Sequence, residues 1–463
     1  MRFTLLFTAL FTSLFSTMSA HADAIRLQLG RGPQQARQLV DSLELSQPTI
    51  SRTINALGDE IVRIEIGRTI QYALRDTRRG IGDIPIYRVT PEGTIKPLGT
   101  LIPVRPDGFV MQQSDGKTLH SDSLPWWLFD MRPQGYLGRA YASRHAASLG
   151  LPNQLNDWDD THALRALLVQ GHDAVGNLLL GDAARERFLS ANHQPIDEAD
   201  KAGAYIQLAA ESSRGEIPGS SAGGEQPKFV TYALTPNGPR HLIVKFSLPE
   251  DNPVTERWRD LLLAEHLALD TLNREGIAAV RTHIKDFGNQ RFLEVERFDR
   301  EGELGRHALI SMKALDAEFV GAGSAGWPLI ANALAKGGQI TLEAAAGTSL
   351  LQAFGALIGN TDMHTGNLSF ISDHGRPYSL APAYDMLPMG FAPKSSGALP
   401  SDLSDITPHA DITPEIWQRA SQVARLYLDR LRNEPRFSAA FRPCIEALTD
   451  HLQTALGKIA RLG

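Results

Sequence analysis

The stretch GNTDMHTGNLSF, residues 359–370, sets Asp362, His364 and Asn367 in a run that opens on Gly359 and leads into the strand-like Leu368, Phe370 and Ile371. A carboxylate and an amide thus stand five residues apart, just ahead of a strand. Either is an ordinary turn residue, because Asp and Asn side chains bond their own backbone in turns. The spacing also suits a loop whose carboxylate orients a hydroxyl and whose amide oxygen holds a hard cation such as Mg2+. The rest of the chain decides between the two.

Downstream, SLAPAYDML (379–387) supplies a second carboxylate, Asp385, after a short apolar run. Upstream, LIVKF sets Lys245 inside an apolar strand, where an ammonium needs a partner or a ligand. Glu265, on a helix expected over roughly 256–275, is placed to pair with it. Before that strand, SSAGGEQPKF (220–229) carries Gly223 and Gly224, which allow positive φ and let backbone amides approach an anion. Glycine loop, strand lysine, helix glutamate, loop Asp with a following Asn, then a later Asp is the order of parts in protein kinases. HRD does not occur, and the one DFG, at 286–288, stands ahead of the Asp362 loop, the reverse of the kinase order.

The chain has 463 residues, 42% hydrophobic and 21% charged, enough for several domains with full cores. A net charge of −6 argues against a wholesale nucleic-acid coat. The single cysteine, Cys444, excludes an internal disulfide and every Cys-based zinc site. Residues 1–22 carry Arg2, an apolar stretch and the small triplet Ala20-His21-Ala22, which reads either as a secretory signal or as a start assigned too early, with Met18 as the first residue. The downstream chemistry favours a cytoplasmic protein.

Residues 23–80 read as a small unit. Helical spacing is expected over 33–43, with Pro33 in the first turn, and over 46–58, capped by Ser46; alternation on both sides of Gly67 predicts a β-hairpin. Helix, turn, helix and hairpin is the order of a winged helix-turn-helix, whose second helix enters the DNA major groove. Ser46, Gln47, Thr49 and Arg52 are then the exposed readers, with Arg63 and Arg68 on the wing. Nine Arg against seven acids leave this segment only +2, so a wing used for protein contacts is the competing reading. Residues 84–115 are strand-rich, and Trp126 and Trp127 in the aromatic segment 124–142 are expected in the core. A β-rich lobe followed by a helical lobe gives an α+β enzyme body.

SSAGGEQPKF, VERFDR (295–300), GNTDMHTGNLSF and LAPAYDML together resemble the signature blocks of HipA-type serine/threonine kinases, the toxins of bacterial toxin–antitoxin pairs. The likeness spans roughly 84–455 and implies a two-lobed, protein-kinase-like fold that uses ATP and Mg2+ and phosphorylates a protein on Ser or Thr. By resemblance, Asp362 is catalytic, and Asn367 and Asp385 hold Mg2+. Gly223, Gly224, Glu225, Gln226 and Lys228 lie over the triphosphate, Lys245 contacts phosphates, and Glu296, Arg297 and Phe298 form the adenine hinge, with His364 and Tyr384 alongside. Ser221 matches the loop serine whose autophosphorylation switches such kinases off, although Ser220 is its neighbour. The fused N-terminal unit is similar to the YjjJ-like subgroup, and it leaves open whether a separate antitoxin exists or restraint acts in cis. The expected layout is a signal-like or mis-assigned 1–22, a DNA-binding unit at 23–80, a β-rich subdomain at 84–150, a kinase N-lobe at 151–300 and a helical C-lobe at 301–463. The alternatives are a DNA-binding regulator with a silent kinase body and a Mg2+-dependent nuclease built on Asp362 and Asp385.

GAGSAG (321–326) fits a dinucleotide-binding pattern letter for letter. That pattern needs a strand before it and a helix opening within it, and Trp327-Pro328 follows at once. A loop is the expected reading.

Overall fold

The computed structural model describes residues 19–191, 194–214, 226–323, 325–372 and 375–461. The expected loop residues Ser220, Ser221, Gly223, Gly224 and Glu225 lie outside the described residues.

The chain is already helical at 19–29, which the sequence reading did not anticipate, and Ile25 and Leu29 of this helix are fully buried. They pack with Leu39, Ile50 and Leu57 from the next two helices, Ala36–Leu43 and Gln47–Leu57. The first of these starts three residues later than its spacing predicts, because Gln34 and Gln35 pair with Tyr72 and Gln71 as a short strand. Pro33 therefore precedes that strand and does not open the helix. Ser46 caps the second helix as expected: its Oγ accepts from Thr49 N–H at 3.4 Å. Strands Ile61–Ile66 and Thr69–Leu74 form the hairpin around Gly67, whose φ of +61° is why a glycine stands there. The hairpin is no free appendage. Val62, Ile64 and Ala73 share a small core with Ile102, Val104 and Val110, and Thr118 Oγ1 bridges the backbone N–H and C=O of Glu65.

The next unit is a five-stranded antiparallel sheet in the order 118–121, 109–113, 95–103, 84–89, 178–180. The division expected at residue 150 does not follow this sheet. Strand Leu178–Leu180 pairs with Ile86, Tyr87 and Arg88, and helices Asp160–Gln170 and Gly181–Ser190 belong with it. Three leucines in a row are too short an apolar run to betray a strand. Trp126 and Trp127 are half-buried against the cores on either side.

A four-stranded antiparallel sheet follows, ordered Thr282–Phe287, Gln290–Glu296, Gly238–Phe246, Lys228–Thr235. Helix Pro253–Arg274 packs on it, started by Pro253 and by Asn252 Oδ1, which accepts from the N–H groups of Val254 and Thr255 at 3.0 Å. Leu261, Leu262 and Leu269 of this helix enter the same core as Phe354, Trp417 and Tyr427 from helices Leu342–Leu357 and Pro414–Asn433. One core therefore ties the upper sheet's helix to the helical lobe, and truncating a fully buried aromatic such as Phe354 to Ala would cost about 3–5 kcal/mol. A three-stranded sheet, Ala308–Ser311 with Ser369–Ser372 and Ser379–Leu380, lies at the junction of the lobes. No described helix is long and apolar enough to cross a membrane.

Candidate active site

In the upper sheet, Lys245 stands opposite Lys228 on one neighbouring strand and Leu293 on the other. Two buried ammonium groups side by side need anions near them. Lys245 Nζ donates to Glu265 Oε1 and to Asp385 Oδ1, each at 2.5 Å. Glu265 thus pairs with the strand lysine as expected. Burial alone would push the Lys245 ammonium down, but Asp385 and Glu265 outweigh it and raise its pKa. Burial likewise works against the Asp385 carboxylate, but Lys245 and then Lys228 hold it below the usual range. Glu265 is 1% exposed, and burial pushes its carboxyl up despite Lys245; its Oε2 has no hydrogen-bond partner among the described residues. A ring of charges with one oxygen unsatisfied can rearrange around an incoming anion and cation at low cost.

The loop at 359–367 is set by Asn360, which the sequence reading passed over. Its Oδ1 accepts from Asp362 N–H at 3.0 Å, and its Nδ2 donates to the Asp385 carbonyl at 3.2 Å, so one amide ties both carboxylate-bearing segments together. Asp385 itself has φ +54°, a left-handed conformation uncommon outside Gly, Asn and Asp. Asn367, 8% exposed, donates from Nδ2 to the Asp362 carbonyl at 2.8 Å. His364 Nδ1 accepts from Gly366 N–H at 3.0 Å, and its Nε2 lies 3.9 Å from Asp362 Oδ1. The Asp362 side chain remains 51% exposed, within reach of an external hydroxyl. Trp327 Nε1 donates to the His364 carbonyl from beneath. In the glycine-rich decoy ahead of that Trp, the Ala322 and Gly323 amides are committed to the Asp316 carboxylate at 2.9 Å and so are not free to hold a phosphate.

Of these groups, Lys228, Lys245, Asn367 and Asp385 line a cleft between the lobes that encloses about 840 Å³, its open mouth included, whereas Asp362 and His364 do not line it. Lys228, Lys245, Asn367 and Asp385 form the charged end. Ile243, Val280, Val295 and Leu309 form an apolar wall beside the Phe298–Tyr384 pair, stacked at 5.8 Å, and make an apolar slot of the kind that ligand rings occupy. Burial pushes the Tyr384 phenol up, and its hydroxyl is bound to Ser369 Oγ at 2.7 Å and to the Gly366 carbonyl at 3.0 Å. The expected hinge residues border the slot, but two of their side chains face elsewhere. Glu296 accepts from Asn237 and His283, and the Arg297 guanidinium is held by Asp173 and Asp299. Only their main chains are left to meet a ligand. Gln226 is described and its Nε2 lacks a partner among the described residues. The wall also holds Asp130, whose carboxylate accepts from Ser311 N–H and Oγ at 2.6 Å and whose pKa burial raises. Nothing in the local pattern WWLFDM distinguishes that Asp, since its partner is 181 residues away.

No cluster of three His, Cys, Asp or Glu side chains able to hold a metal by itself exists among the described residues. One carboxylate plus one amide oxygen beside two lysines instead fits Mg2+, which keeps waters and takes phosphate oxygens as further ligands.

Residues 81–189 match the family described as YjjJ-like toxin, middle domain, and residues 220–452 match the HipA-like C-terminal domain. The toxin YjjJ of Escherichia coli K12 is 37% identical over 438 residues, covering 94% of this chain and 98% of that protein. The chain belongs to the YjjJ-like, HipA-related toxin family. Among solved structures, HipA of Shewanella oneidensis MR-1, in a complex with HipB and operator DNA, aligns with a TM-score of 0.54 at 16% identity, over 82% of this chain and 99% of that one. This YjjJ-like protein therefore shares the mixed helix-and-strand HipA fold. The proinflammatory kinase CtkA of Helicobacter pylori aligns more distantly, with a TM-score of 0.36 at 14% identity over 50% of this chain and 91% of that one.

Proposed function

We propose that this YjjJ-like protein is an ATP- and Mg2+-dependent serine/threonine protein kinase that phosphorylates itself and a cellular protein to arrest growth. The observation that carries the reading is the junction at Lys245, one buried ammonium held between a helix glutamate and Asp385. Kinases use that lysine–glutamate pair and that aspartate to place nucleotide phosphates and metal. When bound to Asp385 and Asn367, Mg2+ supplies charge neutralisation on the phosphates. Lys245 exchanges its contact with Asp385 for phosphate oxygens while keeping Glu265. Asp362, exposed and fixed through its backbone by Asn360 and Asn367, aligns the acceptor hydroxyl and takes its proton. The apolar slot receives adenine, with the main chain of 296–298 as hinge, Tyr384 and His364 bordering the site, and the segment from Gly223 to Lys228 over the triphosphate.

In the same reading, residues 23–80 are a winged helix-turn-helix that binds DNA through Gln47, Thr49, Arg52, Arg63 and Arg68. Gln47, Arg52, Arg63 and Arg68 are exposed and Thr49 is half-buried. Arg63 is 3.1 Å from Glu65, a contact that DNA phosphates would have to displace. The hairpin's shared core with the middle unit favours restraint in cis alongside any separate antitoxin. Autophosphorylation of Ser221 would add about −2 of charge to the loop that the family resemblance sets over ATP's own phosphates, and switch the enzyme off. Such work belongs in the cytoplasm.

The test is incubation with [γ-32P]ATP and Mg2+. Wild type labels itself, and Asp362→Asn labels on the order of 10³-fold more slowly while retaining nucleotide binding. An unlabelled wild type, or a variant labelled at the wild-type rate, overturns the reading. Plasmid cleavage by wild type with Mg2+ and no ATP would point to a nuclease instead.

A further inference from the structure

The face of the upper sheet that carries Lys228 and Lys245 into the cleft carries Tyr232 and His241 farther along the same strands into a second hollow, about 940 Å³ with its mouth included. Its floor is the seam between the upper sheet and the middle unit. There Asp173 and Asp299 are saturated by two guanidiniums. Arg297 donates to Asp299 and Asp173, with its closest contact to each at 2.9–3.0 Å, and Arg300 donates to Asp299 at 2.7 Å and to Asp173 at 3.0 Å. Arg306, the antiparallel neighbour of Arg300, is a third cation and has no ion pair among the described residues, although Glu303 lines the same hollow. It is 4% exposed, lies 4.5 Å over the Phe188 ring, and spends one N–H group on the His172 carbonyl. Its Nε and Nη1 have no partner among the described residues, and neither do Arg300 Nε and His172 Nδ1.

Among the described residues Arg297 and Arg300 take up both buried carboxylates, which leaves the buried Arg306 guanidinium without an ion-pair partner. Buried charges are as a rule paired, because an unpaired one carries the full desolvation penalty. The unsatisfied donors sit on the wall of a hollow roomy enough for a ligand. A guanidinium's planar fork is matched by oxyanions, and phosphate accepts from several donors at once. The rim adds an aromatic surface, Tyr232 and His241 with ring centroids 4.6 Å apart. We infer that this hollow is a second binding site, for a phosphate-type oxyanion held by Arg306 together with the free Nε–H of Arg300. The anion would bridge the middle unit to the segment after the hinge strand. Arg297 lines both this hollow and the cleft of Lys245, and its N–H donates to the His241 carbonyl at 2.9 Å. The inference does not rest on the kinase reading.

The test is the thermal midpoint of the full chain in phosphate-free buffer, titrated with sodium phosphate against sodium chloride at matched ionic strength, with adenosine monophosphate as a second arm. Anything that binds only the folded state raises the midpoint in a saturable way. The expected result is a phosphate-specific rise of several degrees that survives in Lys228→Met/Lys245→Met, where the cleft lysines are removed, and disappears in Arg306→Met. If Arg306→Met does not fold, Leu304→Asp replaces it: this half-buried wall residue would then supply a carboxylate and suppress the phosphate response in a folded protein. A larger Arg306-dependent rise with the nucleotide names a nucleoside phosphate as the ligand, and an equal Arg306-dependent rise names the free oxyanion. No rise beyond the chloride control, a rise unchanged in Arg306→Met, or one lost with the cleft lysines would overturn the inference.

Discussion

Replacing Lys245 with Met removes the cation that two carboxylates share. Lys245 is 5% exposed and Glu265 1% exposed, so the variant would leave two acids facing each other in a poorly solvated pocket. Deleting one partner of a buried pair costs about 3–5 kcal/mol, because the remaining charge has lost its compensation. Glu265 would escape part of that cost by taking up a proton, since burial already pushes its carboxyl up. The sign follows. An acid whose folded-state pKa is raised stabilises the fold at low pH and loses that contribution as pH rises, so the deficit of Lys245→Met should shrink on going from pH 7.5 to pH 5. Adding Glu265→Gln removes the stranded charge, and the double variant should recover about 2 kcal/mol relative to Lys245→Met alone. Urea unfolding of wild type, both single variants and the double variant measures the coupling directly. If the double variant's loss equals the sum of the single losses within about 0.5 kcal/mol, or if Lys245→Met is as stable as wild type, the junction is not the coupled unit described here.

Three further outcomes are expected. Asn360→Leu should unfix both Asp362 and the Asp385 turn, lowering phosphotransfer on the order of 10²-fold with the fold retained; a rate within about twofold of wild type would show that the amide positions nothing. Burial holds His241 and His266 down to about 4, below the usual value near 6.5. The unfolded chain takes up these protons first, so their stabilising contribution is complete above pH 6.5 and falls by about 2 kcal/mol for each by pH 5; a flat urea midpoint between pH 7.5 and pH 5, or one no flatter in His266→Gln, would contradict this. If residues 23–80 bind DNA as proposed, Arg52→Ala should weaken binding of the full chain to a DNA fragment that it retards by about 1–3 kcal/mol in a mobility-shift titration; unchanged affinity, or no fragment retarded by wild type, would remove the second helix from such a role.

The parts of the site legible in the sequence are those whose oddity is local. An ammonium inside LIVKF, paired glycines ahead of a strand, and an Asp and Asn crowded before another strand each violate the surrounding pattern, and Lys245, Asn367 and Asp385 do meet in one cleft. Asn360 violated nothing, since an Asn after Gly359 that bonds Asp362 N–H reads as a turn, and its tie to Asp385 appears only when that residue is brought 25 residues back. Asp130 and the Arg297–Arg300–Arg306 cluster were hidden for the same reason, their partners lying more than a hundred residues away in Ser311 and Asp173. The helix at 19–29 was masked by the apolar residues before it, which drew the eye to a targeting signal. Helix and hairpin periods were readable around residue 50. The sheet partner of residues 84–89 was not, because strand 178–180 is set by tertiary pairing and carries no alternation of its own.

The central claim is that the cleft gathers Lys245, Asn367 and Asp385 around one magnesium-bound nucleotide. Isothermal titration calorimetry with a non-hydrolysable ATP analogue, run with Mg2+ and again with EDTA, tests it most directly. The account predicts one site per chain with Mg2+, weakened at least tenfold by EDTA and again by Asp385→Asn. Binding that ignores both Mg2+ and Asp385, or no heat above dilution with the wild-type protein, would contradict it.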